Sequence, residues 1–372
     1  MALPTLHRLR IASVRHETAD SISVAFSVPP ELRQAYRFRA GQFLTLSASP
    51  QGEPVRRSYS ICSSVQDYVS GADLRVGIRR VAGGRFSNWA NDVLKAGDTL
   101  EVLTPDGRFG VEFSHNQAHH YLGIAGGSGI TPLLSLARTA LETEPASRFT
   151  LIYGNRSLAS IMFLEEIEGL KNRYLERLAI FHVLSEEPSD IELLSGVLDQ
   201  PRIGALLAAA YPTRQGIAAV AHAFVCGPAP MMDAAEQALR ARGMAQERIR
   251  IERFASPDAP PRSSATTAQT AGPEAHAQPS ARVTVVIDGK SRLIQVPFTG
   301  ASLLDTGLAA GISLPYACKA GVCCTCRARV LEGEVKMDRH YTLERHELDA
   351  GFVLTCQSHP LTDEVRVSYD ER

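Results

Sequence analysis

Five cysteines near the C-terminal end have the type and spacing of metal ligands. Four of them, Cys318, Cys323, Cys326 and Cys356, follow the pattern C-x4-C-x2-C-x29-C, which is the ligand spacing of plant-type [2Fe-2S] clusters. A zinc site, the alternative, usually combines two short cysteine pairs, and this segment has one. Using Cys324 would give C-x5-C-x-C, a poorer match, so Cys324 is predicted not to be a ligand. The pattern predicts an iron–sulfur cluster held by four thiolates.

A glycine-rich turn in the middle of the chain could hold a phosphate group. The turn consists of Gly126, Gly127, Ser128, Gly129, Ile130 and Thr131. It follows an apolar run over 121–125 and precedes a helical pattern over 132–142. Glycines let backbone N–H groups approach a pyrophosphate, and the N-terminal end of a helix favours anions. Because the sequence departs from G-x-G-x-x-G, a tight turn without a ligand is the alternative.

The elements that position these residues differ between two parts of the chain. Alternating apolar residues over 21–28, 42–46 and 74–78 predict short strands of an antiparallel β-barrel. Beyond residue 119, strands are predicted over 121–125, 149–153, 180–184 and 221–225, and helices over 132–142, 161–174 and 230–242. This alternation predicts an α/β domain with a parallel sheet covered by helices.

Residues 257–281 separate these parts from the cysteine-rich region. The segment contains five prolines and no Val, Ile, Leu, Met, Phe, Tyr, Trp or Cys, so it is predicted to be a flexible linker. After it, strands over 281–289 and 291–296 predict a hairpin, and a helix capped by Ser302 is predicted over 302–310. The predicted domains are a β-barrel over 1–113, an α/β domain over 114–256 and an α+β domain over 282–372.

Composition and charge exclude several classes of protein. The 372 residues are 44% hydrophobic and 21% charged, which is typical of a globular chain of two or three domains. The formal net charge of -1 gives no global attraction to nucleic acid or to an anionic membrane. The longest uncharged stretch contains glycines and Pro132, the N-terminus lacks a signal-peptide core, and seven cysteines argue against a secreted disulfide framework. We therefore expect a soluble cytoplasmic protein.

Several short motifs occur in an order that carries a resemblance. The chain contains Arg57-Ser58-Tyr59-Ser60, then Gly84-Arg85-Phe86-Ser87, the glycine-rich turn, Cys226-Gly227-Pro228, and finally Glu252 and Phe254. Each motif is weak alone, but their order resembles that of the ferredoxin–NADP reductase superfamily. With the C-terminal cysteine pattern, the chain apart from the linker is similar to the reductases of multicomponent oxygenases. The resemblance implies an FAD-binding barrel, an NAD(P)-binding α/β domain and a β-grasp-like [2Fe-2S] ferredoxin domain.

The resemblance assigns FAD to the first two motifs. Arg57, within the motif that includes Ser58, would pair with the FAD pyrophosphate, which suits the bidentate geometry of a guanidinium. Tyr59 would pack on the isoalloxazine ring, and Ser60 would form a hydrogen bond near flavin N5. Phosphate would be held by backbone N–H groups of Gly84, Arg85, Phe86 and Ser87.

The remaining motifs are assigned to a nicotinamide dinucleotide. The glycine-rich turn would hold its pyrophosphate. Cys226, followed by Gly227 and Pro228, would border the nicotinamide ring, and Glu252 would close the site of hydride transfer. Phe254 stands where relatives carry an aromatic residue near the flavin.

Arg156 and Ser157 bear on the choice between NADPH and NADH. They follow the strand predicted to end near Tyr153, and no Asp or Glu occurs along the chain before Glu165. A 2′-phosphate requires a cation and hydroxyls at this place, whereas enzymes that use NADH commonly have an acid that binds the ribose diol. We therefore expect NADPH rather than NADH, with a solvated loop arginine as the alternative.

The resemblance implies a route for electrons from NADPH through FAD to the [2Fe-2S] cluster. Flavins convert a two-electron donor into the single electrons that such a cluster accepts. The implied partner is the oxygenase component of a multicomponent enzyme, with a di-iron oxygenase favoured over an aromatic-ring dioxygenase or another monooxygenase. A hypothesis of a different class is a zinc- and nucleotide-binding interaction protein, which would be colourless.

Overall fold

The computed structural model describes residues 4–254 and 279–371. Contacts divide the chain into two compact units. One contains residues 6–55 and 59–253, and the described part of the other contains 4–5, 56–58, 254 and 279–371. The predicted linker falls mainly in 255–278, outside the described residues. Within the described ranges, no helix has both the length and the apolar character needed to cross a membrane.

The N-terminal strands form one antiparallel sheet, as predicted. They are β1 (Leu6–Thr18), β2 (Ser21–Ser27), β3 (Phe43–Ala48), β4 (Val55–Ser60), β5 (Leu74–Arg79) and β6 (Thr99–Leu103), with helices α1 (Val65–Val69) and α2 (Arg85–Val93). The strand order is β4-β3-β6-β1-β2-β5, and β1 and β2 pair antiparallel. An antiparallel bridge between Ile61 and Val76 joins the chain after β4 to β5. The sheet therefore curls round an apolar core that includes Val24 and Phe26 of β2.

The central part is a parallel sheet covered by helices, also as predicted. Its elements are β7 (His120–Gly126), α3 (Ile130–Thr143), β8 (Arg148–Asn155), α4 (Leu164–Arg173), β9 (Leu178–Leu184), α5 (Gln200–Ala210), α6 (Arg214–Ala218), β10 (Val220–Cys226), α7 (Ala229–Ala241) and β11 (Ile249–Glu252). The order is β11-β10-β7-β8-β9, with parallel pairing throughout. The winding reverses between β7 and β10, and such a reversal leaves a crevice at the carboxyl ends of the two strands.

The helix predicted over 161–174 begins only at Leu164, so that prediction is wrong at its start. Phe163 has a φ of 60°, in the left-handed region, which a continuous α-helix does not contain. Ile161, Met162 and Phe163 are each at least 98% buried. Their apolar spacing therefore reflects burial in the turn that precedes α4 rather than a helical face.

The C-terminal part is an α+β fold around a mixed sheet. Its elements are β12 (Ser280–Ile287), β13 (Lys290–Pro297), α8 (Leu303–Ala309), β14 (Arg327–Glu332), β15 (Val335–Met337), α9 (Arg345–Asp349), β16 (Phe352–Leu354), β17 (Ser358–Pro360) and β18 (Glu364–Ser368). The main sheet has the order β13-β12-β18-β14-β16, and β15 pairs with β17. The predicted hairpin is β12 and β13, and β12 begins at Ser280, within the last two residues of the predicted linker. Ser302 caps α8, since its Oγ accepts a hydrogen bond from Asp305 N at 3.1 Å.

Candidate functional site

The carboxyl ends of β7 and β10 approach too closely for side chains to lie between them. A Cβ on Gly129 would lie 2.0 Å from the Cys226 carbonyl oxygen. One on Gly126 would lie 2.7 Å from Cδ of the rigid Pro228 ring, and one on Gly227 would lie 2.9 Å from Gly126 N. Glycine is therefore required at these three positions, and main-chain atoms form the floor of the crevice.

The glycine-rich turn and the start of α3 together fit a pyrophosphate. Gly127 adopts a φ of +53°, and its carbonyl oxygen accepts a hydrogen bond from Tyr153 Oη at 2.9 Å. Thr131 Oγ1 donates to the Ser128 carbonyl oxygen at 3.0 Å. No side chain caps the first N–H groups of the 14-residue helix α3. The Ile130 N–H donates to the Gly127 and Ser128 carbonyl oxygens, and the positive end of the helix dipole lies beside the crevice floor.

Helix α3 connects this turn to the segment that follows the Arg57–Ser60 motif. Ser135 Oγ on α3 donates to the Ser63 carbonyl oxygen at 2.7 Å. One turn later, Thr139 Oγ1 accepts a hydrogen bond from Val65 N at 3.1 Å. Sequence analysis missed these contacts because they join residues more than 70 positions apart. They fix the start of α3 relative to the candidate flavin motif.

Ser60 and Glu252, which are 192 positions apart, meet at the candidate site. Ser60 Oγ donates to Glu252 Oε2 at 3.0 Å, and Glu252 lies opposite Cys226 in the pairing of β11 with β10. Desolvation raises the pKa of Glu252 to about 8, although the Ser60 hydrogen bond opposes the shift. Burial raises the pKa of Cys226 well above its usual value, so Cys226 stays a thiol. The site therefore has two groups that hold protons near neutral pH.

The predicted flavin residues lie on β4 and at the start of α2. Ser60 is buried, while Ser58 and Tyr59 are partly exposed and Arg57 is exposed. The Tyr59 ring lies 5.5 Å from the Phe86 ring. Arg57 Nη1 donates to the neighbouring Arg56 carbonyl oxygen at 2.8 Å. An exposed guanidinium and a half-exposed ring in one strand remain accessible to a cofactor.

The start of α2 offers backbone donors of the kind predicted for a phosphate. Gly84 is the N-cap of this nine-residue helix, and no side chain accepts its first N–H groups. A Cβ on Gly84 would lie 2.5 Å from Ser87 Oγ, so glycine allows the tight turn. Arg85 forms an exposed ion pair with Glu53 at 2.6 Å. The free N–H groups fit a phosphate at this helix end.

Acidic side chains lie close to Arg156 and to the residues that follow it after β8. Its Nη2 lies 3.5 Å from Asp20 Oδ2, and Arg79 Nη2 lies 2.9 Å from the same oxygen. Glu187 Oε1 also accepts a hydrogen bond from Leu158 N at 3.2 Å. Counting acids along the sequence missed both carboxylates, which reach the 156–158 segment from other elements.

Ser157 and Phe254 are two further residues that the sequence predicted to contact a cofactor. Ser157 belongs to a capping box with Ser160, whose Oγ accepts a hydrogen bond from Ser157 N at 3.0 Å. Phe254 is 39% exposed and is the last described residue before position 279.

The cysteine loop between α8 and β14 bends sharply three times. Lys319, Gly321 and Cys324 adopt φ values of 52°, 75° and 55°, all in the left-handed region. Cys356 lies in a short 3-10 turn after β16. The Sγ atom of Cys324 lies 2.9 Å from Thr342 Oγ1. The bends allow three thiols of one loop to approach the fourth.

The four predicted ligands meet as two thiol pairs. Cys323 hydrogen-bonds Cys318, which together with backbone N–H groups lowers the pKa of Cys318 to about 6 against the effect of burial. Cys326 hydrogen-bonds Cys356. No three His, Cys, Asp or Glu side chains within 4–254 and 279–371 already surround a metal position. Two thiol pairs nonetheless match, in donor type and number, a cluster of two irons with four thiolate ligands.

Three family models together match most of the chain. Family models match at 8–111 (oxidoreductase FAD-binding domain), 124–237 (oxidoreductase NAD-binding domain) and 285–361 (2Fe-2S iron-sulfur cluster binding domain). One of the subunits of 1,2-phenylacetyl-CoA epoxidase from Escherichia coli (strain K12) is 44% identical, over 100% of this chain and 99% of the relative. The 3-ketosteroid-9-alpha-monooxygenase ferredoxin reductase component of Rhodococcus rhodochrous is 35% identical over 97% of this chain and 96% of its own length. The chain belongs to the oxygenase reductase components.

Several solved structures are similar to this chain in fold. Phthalate dioxygenase reductase matches with a TM-score of 0.58 and 23% identity, over 98% of each chain. An intact type IV self-sufficient cytochrome P450 monooxygenase matches with a TM-score of 0.65 and 21% identity, over 97% of this chain and 41% of its own. The chain is thus an oxidoreductase with FAD-binding, NAD-binding and [2Fe-2S] domains, and the hypothesis of a zinc-binding interaction protein is wrong.

Proposed function

We propose that this oxygenase reductase passes electrons from NADPH, through FAD and the [2Fe-2S] cluster, to phenylacetyl-CoA epoxidase in phenylacetate catabolism. The observation that carries the proposal is the 44% identity to the epoxidase component across the whole chain. Identity to the ketosteroid monooxygenase reductases is 35–37%, so another oxygenase is the second candidate. None of the seven cysteines, all of which lie in the described ranges, forms a disulfide, which supports a cytoplasmic location.

FAD, when bound, converts the two electrons of a nicotinamide into single electrons for the cluster. The proposal assigns its pyrophosphate to Arg57 and to the backbone N–H groups at the start of α2. Tyr59 would contact the isoalloxazine ring, because it is half-exposed and supported by the Phe86 ring at 5.5 Å. Ser60 would hold the reactive edge of the flavin from the buried end of β4.

The nicotinamide dinucleotide would lie across the carboxyl ends of β7 and β10. Its pyrophosphate would face the glycine-rich turn and the start of α3, where no side chain caps the helix and the positive end of its dipole favours an anion. Cys226 and Glu252 would border the nicotinamide ring. Because Ser60 donates to Glu252 at 3.0 Å, these two residues would bring the nicotinamide and flavin edges together and exclude water from between them.

The preference for NADPH is proposed from the cations at the end of β8. Arg156 has a side chain that is 59% exposed, so its guanidinium can turn toward a 2′-phosphate. Ser157, the next residue along the chain, adds a hydroxyl group. Arg156→Ala is expected to raise the KM for NADPH and leave the KM for NADH nearly unchanged. Equal KM changes for both cofactors would contradict this role.

The electron path is tested by an anaerobic visible spectrum before and after one equivalent of NADPH. We expect flavin and iron–sulfur absorbance to bleach together. Adding the oxygenase component of phenylacetyl-CoA epoxidase with its substrate and oxygen should then give epoxide in proportion to the NADPH consumed. A matched test uses the oxygenase component of 3-ketosteroid-9-alpha-monooxygenase. Coupled turnover with the steroid enzyme alone would overturn the proposed partner.

A further inference from the structure

We propose that Asp20, in the turn between β1 and β2, limits the preference for NADPH by competing with the 2′-phosphate for Arg156. The inference rests on the proposed role of Arg156. It concerns a residue of the N-terminal barrel, far in sequence from the nucleotide-binding elements. Asp20 is therefore a specificity-determining residue that acts through Arg156.

The contacts of Asp20 place one carboxylate between two guanidinium groups. Its Oδ2 accepts a hydrogen bond from Arg79 Nε at 3.0 Å and lies 3.5 Å from Arg156 Nη2. Its Oδ1 accepts a hydrogen bond from Thr18 Oγ1 at 2.8 Å. The Asp20 side chain is 33% exposed, so the turn holds it in place while leaving one side open.

Asp20 is ionised at neutral pH. Burial acts to raise its pKa, but the Thr18 hydrogen bond and the Arg79 guanidinium outweigh burial and hold the pKa below the usual value. The pair with Arg79 is the shorter of the two, and the Arg79 side chain is only 19% exposed. The pair with the exposed Arg156 is longer and is therefore the one that a ligand can break.

The two cofactors meet this arrangement differently. NADPH brings a 2′-phosphate that must draw Arg156 from Asp20 and then lie near the Asp20 carboxylate. NADH carries only hydroxyl groups there, so the ion pair between Asp20 and Arg156 can persist. A partly exposed ion pair changes affinity by a small factor. We therefore expect removal of the Asp20 charge to favour NADPH by about threefold to tenfold.

An effect of Asp20 through Arg79 can be distinguished from an effect through Arg156. A Cβ on Gly127 would lie 2.7 Å from Arg79 Nη1, so Arg79 borders the turn assigned to the pyrophosphate. The pyrophosphate is common to NADPH and NADH. An effect that passes through Arg79 therefore changes kcat/KM for both cofactors alike and cancels in their ratio.

The experiment measures the ratio of kcat/KM for NADPH to that for NADH, with an artificial electron acceptor. The variants are Asp20→Asn, Asp20→Glu, Arg156→Ala and the double variant Asp20→Asn/Arg156→Ala. Asn keeps an acceptor for Thr18 and removes the charge. Glu101→Gln, at an exposed position of β6, makes the same change in net charge elsewhere on the barrel. Flavin and iron–sulfur absorbance show that each variant is folded.

We expect Asp20→Asn to raise the ratio about threefold to tenfold, through a lower KM for NADPH, and Asp20→Glu and Glu101→Gln to leave it near the original value. The double variant should match Arg156→Ala. If Arg156→Ala lowers the ratio but Asp20→Asn does not raise it, the inference fails while the proposed role of Arg156 stands. If Asp20→Asn raises the ratio equally without Arg156, Asp20 acts elsewhere and the inference also fails. An unchanged ratio in Arg156→Ala would overturn the NADPH proposal itself.

Discussion

Glu252 is the residue whose protonation most directly links the site to pH. Its pKa is raised from 4.5 to about 8, so the carboxyl is protonated at neutral pH in the folded protein. A group with a higher pKa in the folded state stabilises that state below its unfolded pKa. This contribution is lost as pH rises through about 8. The free energy of unfolding should therefore fall as the pH rises from about 4.5 to about 8, and part of this fall is due to Glu252.

The rate of flavin reduction by NADPH should show an inflection near pH 8, where Glu252 ionises. The hydrogen bond from Ser60 stabilises the ionised carboxylate of Glu252. Ser60→Ala removes this bond and should therefore move the inflection to higher pH. Glu252→Gln should abolish it. Anaerobic stopped-flow absorbance at a series of pH values measures all three, with Glu101→Gln as the control. An inflection that survives in Glu252→Gln would assign the titration to another group.

Cys324 tests the assignment of the cluster ligands. Its Sγ lies beside Thr342 Oγ1 at 2.9 Å, and the remaining four thiols form two pairs. Cys324→Ala should therefore keep the visible iron–sulfur bands and about two irons per chain, the content of a [2Fe-2S] cluster. Cys326→Ala, the matched variant two positions away, should lose them. Loss of the bands in Cys324→Ala would reopen the choice of ligands in this loop.

At the scale of elements, alanine substitutions at two glycines, one in the crevice floor and one in α5, are expected to have opposite effects on stability. Gly129→Ala puts a Cβ 2.0 Å from the Cys226 carbonyl oxygen, so β10 and the turn must separate. We expect a loss of about 2 kcal/mol or more in the free energy of unfolding and a weaker affinity for NADP. Gly204→Ala, in α5, meets nothing within 4 Å and should stabilise the helix by about 0.5–1 kcal/mol.

Urea denaturation and NADP titration measure both glycine variants. Similar stability changes in the two proteins would show that the strand ends can relax, and that the close approach of backbone atoms is not required. A stable Gly129→Ala protein that still loses NADP affinity would instead place the effect on the ligand alone.

Helices and strands were predictable from the sequence where the local pattern of residues determines them. Short apolar runs predicted β7 and β8, and Ser302 predicted the cap of α8. The start of α4 was not predictable, because Ile161–Phe163 are buried by tertiary packing that imitates helical spacing. Asp20 could not be connected with Arg156 from sequence, because their pairing depends on how the barrel meets the parallel sheet.

At the scale of the whole molecule, three domain types in one chain imply an order of electron transfer. The spacing of four cysteines predicted the cluster, whereas the flavin and nucleotide roles came from the order of several weak motifs. A single motif such as Arg57–Ser60 is too short to specify a cofactor, and its role depends on residues that meet only in the folded chain. A variant that lacks only the cluster therefore distinguishes reduction of the flavin from delivery of electrons to the oxygenase component.

Cys356→Ser should remove the cluster while leaving the FAD- and NAD-binding parts folded. NADPH should still bleach the flavin, and the variant should still reduce ferricyanide, which accepts electrons from flavins. Turnover of the oxygenase component should fall by at least a hundredfold, corresponding to about 2.7 kcal/mol or more. Ferricyanide reduction and oxygenase turnover are measured on the same preparation. Retained oxygenase turnover without a cluster would mean that electrons leave directly from the flavin.

The crevice floor made of main-chain atoms has a consequence for inhibition. An inhibitor that fills the floor at Gly126, Gly129 and Gly227 would contact atoms that no substitution can exchange, and each added Cβ would collide with its neighbours. Resistance would then have to arise outside the floor, for example at Arg156 or Asp20, whose side chains can be exchanged. Compounds directed at the floor should therefore act whether the enzyme uses NADPH or NADH, and resistance to them should emerge slowly.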